Sequence, residues 1–168
     1  MNRLIITVLS LAFALIVAPV FASAQDYRQL SPLLTDLKGW SADPAEGMNM
    51  DMGAYKMINV VRSYARDSKE LEAIIVIGNQ VMPQGPMETM HAESDDSVMN
   101  MRQIDGFKVY TIHDKQDNSG NVTVFLVQKE PRSAMFAISY QGISESEAMD
   151  LARQFNWNDM KLTAEKMF

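Results

Sequence analysis

The chain contains no cysteine, which excludes disulfides, thiolate catalysis, cysteine metal sites and a lipid-modified N-terminal cysteine. Histidine is nearly as scarce. His91 and His113 are the two in 168 residues, and they are the side chains that normally titrate near neutral pH. They stand too far apart for a His-Glu-x-x-His zinc helix, and the chain has neither a glycine-rich phosphate loop nor a dinucleotide fingerprint. Basic residues are in the minority, 15 against 21 acidic, for a formal charge of -6. The acidic residues are scattered, so the balance favours solubility and argues against nucleic acid or an anionic membrane surface as partner.

The N-terminus follows the three-part export pattern: a positive Arg3, an apolar run from Leu4 to Val17, and Ala22-Ser23-Ala24 at the cleavage positions. Residues 1–24 are expected to be a signal peptide, with Gln25 the first mature residue. The alternative is an uncleaved anchor, because residues 4–24 approach the roughly 20 apolar residues of a membrane helix. Pro19 and the small residues near its end suit a peptidase better, which leaves no stable membrane anchor after cleavage. Loss of Arg3 takes the formal charge from -6 to -7. The expected product is a periplasmic or secreted single domain over 25–168, long enough to bury about two-thirds of its chain surface without disulfides.

Periodicity predicts an α+β fold, a mainly antiparallel sheet of about six strands covered by helices. Leu30, Leu33, Leu34 and Leu37 fall at helical spacing behind Ser31 and Pro32. Residues 57–66 and 71–78 alternate around the Asp67-Ser68 turn signal and read as a hairpin. A short helix opened by Pro86 is expected within 79–96. Asp105-Gly106 predicts a type I′ hairpin between 98–104 and 107–113, and two further alternating runs follow at 122–129 and 134–140. Ser144 and Glu147 match a capping box before a helix whose apolar face is Ala148, Leu151, Ala152 and Phe155, continued by Trp157 and Met160.

Leu-Lys-Gly-Trp at 37–40, the Met/Gly-rich stretch at 47–57, Ile-Asp-Gly-Phe at 104–107 and Phe-Asn-Trp at 155–157 resemble a group of small exported bacterial proteins. That resemblance implies no activity. The order of elements is similar to the PsbP-like α/β/α sandwich, whose members act mostly as binding or assembly partners, and a fold alone does not assign a function.

Methionine is the compositional outlier, 14 of 168 residues. In Met48-Asn49-Met50-Asp51-Met52 an extended backbone would aim three thioethers to one side at intervals of about 6.5 Å. Thioether sulfur is soft and prefers Cu(I), and Ag(I) should behave likewise. Met57, Met87, Met90 and His91 complete the candidate ligand set, the last three as a Met-x-x-Met-His group on one helical turn. The competing explanation is that methionine is a flexible filler of cores and adaptable contact surfaces.

Other motifs favour structural explanations. Gly142-Ile143-Ser144-Glu145-Ser146 lacks the last glycine of a nucleophile elbow, and Ser144 already caps a helix. Residues 114–121 lack the turn glycine and terminal glutamate of a calcium loop. No catalytic or cofactor-binding residue is assigned. The expectation is a non-enzymatic periplasmic protein whose Met-rich surface contacts a protein partner or an apolar small molecule; the alternative is a Cu(I)/Ag(I)-binding protein with thioether ligands.

Overall fold

The computed structural model describes residues 26–53, 55–79 and 89–168, with only the backbone of Tyr55. The expected signal peptide and Met87 lie outside the described residues. Among the described residues nine strands form: β1 Ser41–Ala42, β2 Glu46–Met52, β3 Tyr55–Arg66, β4 Lys69–Gly78, β5 Met90–Glu93, β6 Ser97–Ile104, β7 Phe107–Asp114, β8 Ser119–Lys129 and β9 Arg132–Gln141. They make one antiparallel sheet in the order β1-β3-β4-β9-β8-β7-β6-β5, and β2 shares the free edge of β3 with β1. Two short helices follow, α1 Glu145–Ala152 and α2 Trp157–Lys166.

Alternation along the strands sends one set of side chains into the core. Val60, Ile75, Phe136, Val124 and Val109 form one row across five strands, and each is fully buried. Both helices pack on this face. Phe155, between them, lies against Phe136 and Tyr64 at ring distances of 4.9 and 6.1 Å, while Trp157 meets Phe107 edge-on at 5.8 Å. The N-terminal segment covers the rest through Leu30, Leu34, Leu37 and Trp40. Arg62 fastens it, donating to the Leu34 and Asp43 carbonyls and to Asp36.

The sequence-based expectation of an α+β sheet of about six strands covered by helices, of the α/β/α sandwich kind, is corrected here. The six expected strands all form, but β1, β2 and β5 join them at the sheet edges. β1 and β5 are two and four residues long, too short to declare a period, and the alternating methionines of β2 lie in a Gly-, Asp- and Asn-rich stretch with no long apolar face, which reads as an irregular or edge segment. Helical content is also smaller than expected. The leucine segment forms two single 3-10 turns, Tyr27–Gln29 and Ser31–Leu33, and Leu30 rather than Ser31 stands at the N-cap of the second. In place of a helical turn, Met90 to Glu93 pair with β6.

Turn and cap chemistry follow expectation. Asp105 and Gly106 have φ of 52° and 83°, as a type I′ turn requires. Ser144 caps α1 by accepting from the Glu147 backbone N–H at 3.2 Å. The reciprocal half of the capping box does not form, because the Glu147 carboxylate instead accepts from Arg66 and Lys69. Burial pushes the Glu147 carboxyl up, but hydrogen bonds from those two cations and their charges outweigh it, so its pKa lies below the ordinary glutamate value.

Candidate functional site

Residues directly opposite in antiparallel strands point to the same face, so the register fixes what lies on the side away from α1 and α2. One row runs Met48, Asn59, Val76, Met135, Phe125. The next runs Val61, Ile74, Ala137, Thr123, Tyr110, Met101, Met90. Beside them stand the pairs Met50–Met57 and Ala92–Met99. Eleven methionines fall within the described residues. Three of them, Met149, Met160 and Met167, are buried under the helix layer. The other eight, Met48, Met50, Met52, Met57, Met90, Met99, Met101 and Met135, all project from the opposite face.

Among the described residues no element packs on that face. Val76 is buried and the other central side chains are half-buried, while Met48 and Met52 stand 51 % and 64 % exposed. Charged residues lie toward its margins, with Glu46 opposite Val61, Lys108 beyond Phe125, and Glu70 and Glu72 at the far end of β4. Tyr110 donates its hydroxyl to Met99 Sδ at 3.5 Å. The centre is therefore uncharged, sulfur-rich and mainly apolar, with Asn59 and Thr123 as its polar members.

The structure divides the candidate ligand set. Met48, Met50 and Met52 share one face as the spacing predicts, and Met57 is the direct cross-strand partner of Met50. Met90 lies on the same face at the opposite edge, seven strand intervals from β2 or about 34 Å along the sheet. His91 points to the other face, its Nδ1 2.7 Å from Asn100 Oδ1 and its Nε2 3.6 Å from Glu93. Met87 lies outside the described residues. Met99, Met101 and Met135 belong to the face although the sequence reading assigned them no role; their signal was the parity of β6 and β9.

A second feature was not visible in the sequence. Where the sheet extends past α1, Glu145 accepts from the buried Thr111 hydroxyl at 2.7 Å and from Asn100 at 3.2 Å, with Arg102 3.8 Å away. Glu145, Asn100 and Arg102 border a shallow cleft of about 460 Å³ that is also lined by Met149, Asp150 and Arg153. Nearby, His113 Nδ1 lies 3.1 Å from the Tyr140 hydroxyl, whose pKa burial and the Glu145 charge hold well above the usual tyrosine value. Glu145 stands at the start of α1, where a carboxylate is favoured by the helix dipole, so this cluster joins helix to sheet.

Comparison with family models, curated proteins and solved structures finds no match.

Proposed function

We propose that this is an exported, non-enzymatic interaction protein whose methionine-lined sheet face docks a partner protein through a mainly apolar, uncharged centre. The observation that carries the reading is the segregation of eight methionines onto the face that α1 and α2 leave uncovered. A protein's own core explains methionines beneath helices, but not methionines collected on the other side.

The dimensions favour a macromolecule. Eight strands wide and three or four same-face residues deep, the whole face spans about 34 by 20 Å, or about 700 Å², close to the roughly 800 Å² per partner of a stable protein interface, and the row through Asn121, Ser139 and Glu72 gives that area a polar border beside the mainly apolar centre. Small-molecule sites are concave and enclosed, whereas this surface is a sheet face with charges toward its rim, the usual anatomy of an interface. Methionine suits such a surface because an unbranched, polarizable side chain adapts its shape to a partner. The non-enzymatic reading is supported by the engagement of the polar groups: Glu145 is held by Thr111 and Asn100, His91 by Asn100, and His113 lies against Tyr140.

Site-specific photo-crosslinking in the periplasm of the native host tests the reading. A photoreactive residue at Met101 or Met135 should give a discrete crosslinked protein, lost when Ile74→Lys is added, while the same group at Leu162 on α2 gives none. A crosslink between two copies of this chain would make the partner a second copy. The same products from both sides, or none from Met101 and Met135, would contradict the reading.

A further inference from the structure

We propose that Met48, Met50, Met52 and Met57 form a thioether site for one soft monovalent ion, Cu(I) or Ag(I), at the β2–β3 edge. This goes beyond the docking reading and does not depend on it, because the site occupies one edge of the face and needs no partner.

Exposure is the first argument. Among the described residues Met48, Met52 and Leu162 are the exposed large hydrophobic side chains, so intramolecular packing does not account for two of the four methionines. Geometry is the second. Met50 and Met57 oppose each other directly across the hairpin, which places their Cβ atoms about 4.5 to 5.5 Å apart. Met48 and Met52 flank Met50 on the same face, each about 6.5 Å along the strand. Three rotatable bonds let each sulfur swing toward a common centre.

The frame beneath is fixed. Asp51, pointing to the other side, pairs with Lys56 at 3.1 Å and accepts from the Gly53 N–H at 3.1 Å. Gly53 carries the turn with φ +71°, and the Met48 N–H donates to Asn59 Oδ1 at 3.2 Å. These contacts accompany the β2–β3 pairing, whose register puts all four thioethers on one side.

Chemistry selects the ion. Thioethers are soft, neutral donors that prefer Cu(I) over hard cations, and they bind without releasing a proton, so affinity does not depend on ligand deprotonation. No group of three His, Asp or Glu residues suited to a harder ion occurs among the described residues. Met90 and His91, at the far edge and on opposite faces, are not ligands of this site.

The test uses the mature protein carrying ¹³C-methyl methionine, titrated with Ag(I) in chloride-free buffer and, anaerobically, with Cu(I) against a competing chelator. One ion should bind per chain, the methyl shifts should concentrate on Met48, Met50, Met52 and Met57, and excess Zn²⁺ should not displace it. Met50→Leu/Met57→Leu should weaken binding by at least about tenfold, while Met90→Leu/Met101→Leu leaves it unchanged. Should the first variant fold poorly, the exposed pair Met48→Leu/Met52→Leu takes its place with the same expected loss. No binding, equal affinity in parent and edge variants, or shifts spread evenly over all eight face methionines would overturn the site. Each of those results leaves the crosslinking test of the docking face unaffected.

Discussion

Phe136→Ala is expected to lower the unfolding free energy by about 3 to 5 kcal/mol, the usual cost of deleting a fully buried aromatic ring. Phe136 lies at the centre of the row Val60, Ile75, Phe136, Val124, Val109, with no exposed surface, and packs on Phe155. Truncation removes the ring from the contact between sheet and helices and leaves a cavity that flanking strands cannot close without moving. The adjacent residue supplies the internal control. Met135 projects from the opposite face of the same strand, so Met135→Ala should cost far less. Urea unfolding of the three proteins measures both values. Equal losses at the two positions would mean that the sheet does not separate a covered face from an open one.

Gly120→Ala is expected to cost about 3 kcal/mol, at the upper end of ordinary overpacking. An added Cβ would sit 2.1 Å from the Ile112 carbonyl oxygen and 2.7 Å from the Tyr140 hydroxyl. The first obstacle is backbone of the neighbouring strand and cannot rotate away. Gly120 pairs with His113 on one side and Tyr140 on the other, and those two rings stack 6.0 Å apart where a side chain would stand. The substitution should lower the urea midpoint and break the contact between His113 and Tyr140, detectable as a shift of the His113 ring resonances. An unchanged midpoint would mean that β7, β8 and β9 are not in this register.

Much of the sheet was legible because alternation is a local signal. Ile58, Val60 and Tyr64, or Leu71, Ala73, Ile75 and Ile77, declare a strand and its buried side without knowledge of any partner. The Asp105-Gly106 turn was equally legible, since positive φ at both positions is a property of those two residues. What stayed hidden is tertiary. Met90 and His91 follow Pro86 in a stretch that suits a helix, yet pairing with Met101 and Asn100 draws them into a strand and places them on opposite faces. Asn100 and Thr111 reach Glu145 across 45 and 34 residues, and no spacing rule connects them.

The candidate face was half legible. The thioethers of Met48, Met50 and Met52 were expected on one side, and they are. Their continuity with Met135, Met99 and Met101 depends on a strand order that places β9 between β4 and β8, which no local pattern encodes. Nor does the amphipathic pattern of α1 and α2 say that both helices choose the same side. That shared choice leaves the methionines on the uncovered face.

Solvent paramagnetic relaxation of ¹³C-methyl methionine in purified protein comprising residues 25–168 tests the central claim most directly. A soluble gadolinium chelate should strongly broaden the methyls of Met48 and Met52, and clearly broaden those of Met99, Met101 and Met135, while Met149, Met160 and Met167 keep narrow lines. That pattern would establish an accessible methionine face opposite a buried methionine core. If Met99, Met101 and Met135 are as protected as Met160, the face is already covered within the molecule and the docking surface does not exist.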